Sequence, residues 1–291
     1  MFPDVDWTMT PTPPAPRNPD PKVPCCQPDL FDARDEDVSG HAPSTSVPST
    51  EMPLEDYTDD DLLEAIPMAG LSNIDALCSE VVGRSLLAAV PALETLWRRF
   101  TGFGPNKPFR QQLAVIDTLA RLDGARSHAA LRRIVLSGSL PGSLLPAALQ
   151  AAVRARLALP AVFIEPLLHH EESTVRRAAF SLAVRSAVSI DRLREGLQDP
   201  TDRVRRLAGI ALGLRGDTEA RQTLLRELSR SPSPEIIEAI TAVWDDDVIV
   251  HLGRCAHRSP HLAGAVLEAL HDISSGKALT VARNLQTATS D

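Results

Sequence analysis

Two stretches of this chain are near copies of each other. Leu168-His-His-Glu-Glu-Ser-Thr-Val-Arg-Arg-Ala-Ala-Phe-Ser-Leu182 is echoed by Leu197-Gln-Asp-Pro-Thr-Asp-Arg-Val-Arg-Arg-Leu-Ala-Gly-Ile-Ala211, so that Val175-Arg176-Arg177 recurs 29 residues later as Val204-Arg205-Arg206. A fixed period of this length, filled with helical pattern, predicts a stacked array in which each helix hairpin buries its apolar face only against its neighbours. Val175 and Val204 are expected to open the inner helix of each unit. Small residues one turn on (Ala178 and Ala179, Ala208 and Gly209) let adjacent helices approach closely, and Leu182 and Leu212 fill the seam. The arginines beside the valines either run along the exposed ridge or reach an acid in the neighbouring loop.

The 3.6-residue pattern extends over most of the chain, and β-type alternation is nearly absent. Asp59-Asp60-Asp61 predicts a helix start, its acids complementing the N-terminal dipole. Helical pattern follows over 72–88 and 91–100, where Pro91 either starts a helix or kinks one. Gly102-Phe-Gly-Pro105 is a break. Beyond it the pattern predicts helices over 109–122, 127–136, 144–159, 162–169, 174–188, 190–198, 202–214, 218–229, 234–243, 248–256 and 261–273. Their short connections suit antiparallel hairpins. At Asp199-Pro200-Thr201-Asp202, Pro200 stops one helix and Thr201 or Asp202 is placed to cap the next.

Composition divides the chain. Residues 1–55 hold twelve of the 24 prolines and ten acids against Arg17, Lys22 and Arg34, with few large apolar side chains. Such a segment buries too little apolar surface to offset its ordering entropy. The expected organisation is a disordered Pro-rich acidic arm over 1–57, a helical cap over 58–104, the repeat array over 105–275 and a short C-terminal tail over 276–291. The acidic charge belongs to the arm and the Asp56–Asp61 knot, which leaves the remainder slightly basic. No apolar run is long enough for a transmembrane helix, and the N-terminus lacks the basic and apolar regions of a secretory signal. Cys25, Cys26, Cys78 and Cys255 are too few and scattered for a disulfide framework, so a reducing cytoplasm is expected.

The run Leu197-Gln-Asp199-Pro200, then Val204-Arg205, Ala208 and Ala211-Leu212-Gly213, resembles the HEAT-repeat consensus, particularly the short bacterial variety shared with phycobilin-lyase-like repeats. Leu168–Leu182 matches too, with His170 where the family has its turn Asp. The units at Leu228 and Ser259 match loosely, as do those before residue 160. The resemblance implies an all-α fold, a right-handed α-solenoid of antiparallel helix hairpins, and an extended binding surface. It does not fix a task.

Candidate chemistry is sparse. There is no phosphate-binding glycine loop, no nucleophile elbow and no catalytic Cys-His signature. His251 and Cys255 lie four apart on an expected helix and so share a face, with His257 and His261 beyond, but the spacing lacks the pairs a zinc site uses. His169-His170-Glu171-Glu172 occupies an inter-helix turn, where polar residues are expected in any case. Arginine supplies 27 of the 30 basic residues. Arg176, Arg177, Arg203, Arg205 and Arg206 are the candidate binding residues, with Arg176 and Arg205 forming a ladder able to hold phosphates or an acidic peptide. In the arm, Gln27-Pro-Asp-Leu30-Phe31 resembles the Gln-x-x-Leu-Phe peptide that docks on bacterial sliding clamps, with Pro28 where that family prefers Leu. The leading expectation is a non-enzymatic adaptor whose partner is another protein, with no cofactor. A nucleic-acid-associated protein, similar in fold to HEAT-like repair glycosylases, is the alternative. The repeat resemblance also admits a phycobilin-lyase-like activity.

Overall fold

The computed structural model describes residues 54–101, 109–137, 140 and 142–288, and among them it contains fifteen α-helices, short 3-10 turns and no strand. The all-helical class expected from the periodicity is the class observed. Residues 1–53, with Cys25, Cys26, Gln27, Leu30 and Phe31, lie outside the described residues. The described chain begins with a 3-10 turn, Leu54–Asp56, inside the segment assigned to the arm. Arg84 holds it there, donating to the Leu54 carbonyl at 3.5 Å and to the carbonyl of Tyr57, just after the turn, at 2.8 Å.

Helix α1 (Asp59–Ala65) opens with a reciprocal cap. The Thr58 hydroxyl accepts from the Asp61 N–H at 3.2 Å, and the Asp61 carboxylate accepts from the Thr58 N–H at 2.8 Å. The Thr58 hydroxyl also donates to that carboxylate at 2.6 Å, and this bond first, with the one from the Thr58 N–H, holds the Asp61 carboxyl below its usual range. Helices α2 (Ile74–Gly83) and α3 (Val90–Arg99) follow, with Pro91 in the first turn of α3, where its missing N–H costs nothing. Phe100 and Phe109, which flank residues 102–108, meet with ring centroids 5.1 Å apart.

The remaining helices are α4 (Arg110–Arg121), α5 (Ala125–Leu136), α6 (Leu145–Arg154), α7 (Ala161–Ile164), α8 (Ser173–Ala183), α9 (Ile190–Glu195), α10 (Asp202–Gly213), α11 (Arg221–Arg230), α12 (Pro234–Thr241), α13 (Asp246–Arg258), α14 (Ala263–Asp272) and α15 (Gly276–Ala288). From α2 to α14, each even-numbered helix packs on the next even-numbered one. Odd-numbered helices lie against their sequence neighbours. Helices α7 and α9 are short and run on as 3-10 turns, Glu165–His169 and Gly196–Gln198, which pack on α8 and α10.

The repeat register is visible in the burial. Val175 and Val204 are both fully buried, as are Ala179, Ala208 and Leu212. Small residues do bring the row together. A Cβ on Gly213 would sit 2.7 Å from the Ala239 carbonyl oxygen of α12, and one on Gly196 would sit 2.3 Å from the Phe180 ring. Buried apolar side chains form one cluster from Leu62 to Leu285.

Several helices stop earlier than their apolar pattern suggests, for local reasons. Helix α6 ends at Arg154 because Arg156 adopts a left-handed backbone (φ 51°), with its N–H donating to the Val153 carbonyl and the Leu157 N–H donating to Ala152. Ser85 (φ 52°) closes α2 and Gly216 (φ 75°) closes α10 in the same way. Of these, only Gly216 is the residue type the motif favours. Helix α8 ends at Ala183, where Arg215 donates to the carbonyls of Ala183, Ser186 and Val188. Burial at that position lowers the Arg215 pKa from its usual value. At the C-terminus, the segment expected to be a short tail contains α15, which packs on α13 and α14. Its buried residues Ala278, Ala282 and Leu285 recur at helical spacing, although polar neighbours such as Lys277, Arg283 and Asn284 mask the stripe in the sequence.

Candidate functional site

The five candidate arginines separate into two sets. Arg176, on α8, is committed to the fold. Its Nε donates to the Asp199 carboxylate at 2.8 Å, and a terminal nitrogen donates to the carbonyls of His170 and Glu171, both at 2.8 Å. The Arg176 and Asp199 side chains are only 13% and 8% exposed. Burial raises the cost of ionising Asp199, but bonds from the Arg176 guanidinium and from Thr201 outweigh it and hold the carboxyl below its ordinary range. Asp199 also accepts from the Thr201 N–H at 2.8 Å, so it, rather than Thr201 or Asp202, supplies the side-chain bond before α10.

Arg205 repeats part of this arrangement one period later. It donates to the Asp199 carbonyl, as Arg176 does to His170, and pairs with Asp202. Arg206 reaches the hydroxyls of Ser231 and Ser233 at 3.3 and 3.1 Å. The loops are tied by further arginine–aspartate pairs of similar sequence separation: Arg194 to Asp217 at 2.9 Å and Arg221 to Asp245 at 3.1 Å. Asp217 and Asp245 each cap the segment that follows them. The Asp217 carboxylate, bonded to the guanidinium, raises the Arg194 pKa.

Arg177 and Arg203 are different. Among the described residues, neither guanidinium forms an ion pair or hydrogen bond. Both line one surface groove of about 310 Å³, to which α8 also contributes Ala178 and Ser181, and α10 contributes Leu207. Helix α6 adds Gln150, Val153 and Arg154. Among the described residues no carboxylate lines this groove. Val153 and Leu207 are partly buried against the core, so the floor is apolar and the rim cationic. Arg154 pairs at 2.7 Å with Asp117, which also lies 3.6 Å from Arg121. On the other side Glu235 lies near Arg206. The Ser233 hydroxyl, first, and then that arginine hold the Glu235 carboxyl below its usual range. The positive strip thus spans α6, α8 and α10 and is bounded by Asp117 and Glu235.

Two larger grooves, of about 540 and 600 Å³, are less suited to recognition because most of their charges are already spent. In the first, Arg205 is bonded as above and Glu219 pairs with Arg194. In the second, Arg133 pairs with Glu94 at 2.5 Å.

The histidine and cysteine candidates do not converge on a site. Cys255 is fully buried and its thiol pKa is raised by that burial, His251 is half-buried, and His257 and His261 are exposed. Among the described residues no group of three or more His, Cys, Asp or Glu is placed to hold a metal ion. His169 lies 3.3 Å from Glu195, and His170 accepts from the Glu172 N–H, so both serve the turn. Among the described residues no helix is long and apolar enough to cross a membrane.

Arg154 was not among the residues singled out from the sequence. It precedes the two clear repeats, and its part in the groove depends on α6 packing against α8. A scan against protein-family models finds no match for the chain, and a search of curated proteins finds no relative.

Proposed function

We propose that this protein is a non-enzymatic adaptor, a HEAT-like α-solenoid that binds another protein on the face formed by α6, α8 and α10. The observation that carries the proposal is the pair of unspent guanidiniums, Arg177 and Arg203, sharing one groove on a face whose neighbouring arginines are consumed by the fold. Buried backbone and side-chain bonds fix the helices beneath them, so the charged groups are presented on a rigid support, which lowers the ordering cost of binding. The solenoid reading is supported by the 29-residue register and by the succession of even-numbered helices, each packed on the next. That arrangement suits a fold built to present surface.

The test is affinity capture with the full chain and with the Arg177→Glu, Arg203→Glu double variant as baits, read by quantitative mass spectrometry. The expected result is a specific protein recovered with the first bait and lost with the second. Retention of nucleic acid alone, equal for both baits, would overturn the proposal.

A further inference from the structure

Resting on the adaptor reading, we propose that the α6–α8–α10 groove takes a short acidic segment of a partner protein, with one apolar side chain set between its carboxylates. Three features define that chemistry. The rim offers Arg177 and Arg203 without competing acids, and guanidinium forks bind carboxylates in paired geometry. The floor of Val153, Ala178 and Leu207 is a small apolar step that remains wet unless an aliphatic group covers it. Gln150 and Ser181 stand beside it as polar groups able to meet a peptide backbone or side chain.

The length of the strip limits the occupant. Adjacent packed helices lie about 8–10 Å apart, so three span about 20 Å between axes. An extended chain covers that distance in about six residues. On the margins Arg154 and Arg206 already face Asp117 and Glu235, so the guanidiniums free to meet an anion are confined to the middle of the strip. A nucleic acid needs a longer basic track, and a single strand also needs stacking surfaces, yet among the described residues no aromatic side chain lines the groove. A peptide of about five residues carrying carboxylates on both sides of one apolar side chain satisfies the site without meeting either margin.

Fluorescence anisotropy of the full chain tests this, using fluorescein-labelled Asp-Glu-Leu-Asp-Glu and two comparison peptides, one with every acid as its amide and one with Leu as Ser. A 20-nucleotide oligo-dT and a 20-base-pair duplex serve as competitors. The acidic peptide should bind, and the Arg177→Gln, Arg203→Gln variant should weaken it at least tenfold. A charge-matched control, Arg132→Gln with Arg254→Gln, should stay within twofold. The amide peptide should fail to bind, and the Ser peptide should bind at least threefold more weakly. Circular dichroism melts confirm that both variants fold, since among the described residues none of these four guanidiniums carries a bond. Absence of peptide binding, equal loss in the control, or tighter binding of either oligonucleotide would overturn the inference. If peptide binding fails while the capture experiment still loses its protein on Arg177→Glu with Arg203→Glu, the adaptor reading stands and only this occupant is wrong. If neither experiment responds, both fall.

Discussion

Gly213 puts the close approach of the helices to its most direct test. It is the last residue of α10 and faces α11 and α12. A Cβ added there would lie 2.6 Å from Leu224 Cδ1, 2.7 Å from the Ala239 carbonyl oxygen and 3.1 Å from Ala239 Cβ. The leucine methyl can turn aside, but the carbonyl belongs to helical backbone and moves only if α12 moves with it. Restoring ordinary contact requires separating the two helices by roughly 0.7 Å, and overpacking of this kind costs about 1–3 kcal/mol. Alanine is the better helix former by up to about 1 kcal/mol in a helix interior, and by less at a terminus. Gly213→Ala should therefore destabilise by about 1–2 kcal/mol net. In a folded region of this size, each kcal/mol shifts Tm by roughly 2–4 °C, so a fall of about 2–8 °C is expected in thermal melts followed at 222 nm. Gly264, in the first turn of α14, has nothing within 4 Å of its Cβ direction, and Gly264→Ala should hold or raise Tm. A Gly213→Ala protein that melts at or above the parent temperature would refute the close-packing argument.

Arg176→Ala should cost about 3 kcal/mol, because it strands the nearly buried Asp199 carboxylate and two turn carbonyls. Arg177→Ala, one residue on, should change stability by less than about 0.5 kcal/mol, and urea midpoints of the two variants separate these roles. Asp199 has a lowered pKa in the folded chain, so its contribution is complete above the unfolded carboxylate value near 4 and is lost as pH falls through the folded value. Urea midpoints measured from pH 7 down to pH 3 should accordingly converge for the parent and Asp199→Asn at the acid end. Parallel curves would show that this carboxylate has no role in acid sensitivity. Val204→Asp places an unpaired carboxylate at a position with no exposure, a cost of several kcal/mol, and should abolish the cooperative melt of the parent.

The repeat pair made the core legible because Val175, Ala179, Leu182 and their counterparts 29 residues on are fixed by a period that leaves no freedom of face. Helix ends were less legible. Arg156 and Ser85 take left-handed caps usually filled by glycine, and nothing in their side chains announces it. Helix α8 is closed by Arg215, which lies 32 residues beyond Ala183, a long-range contact that no local window contains. The candidate site was half legible. All five arginines were visible as a cluster, but which were spent depended on partners in other units: Asp199 for Arg176, and Ser231 and Ser233 for Arg206. The unspent pair, and its third neighbour Arg154, emerge only when α6, α8 and α10 are brought side by side.

The turn at Asp199 has a consequence for how the molecule comes apart. One residue clasps the guanidinium of the unit before it, orders the backbone that begins the unit after it, and lends its carbonyl to that unit's own arginine. Melting either hairpin alone therefore withdraws an anchor from the other. Fraying from one end should halt at this rivet until both neighbours release together, giving the middle of the chain slower amide exchange than either flank.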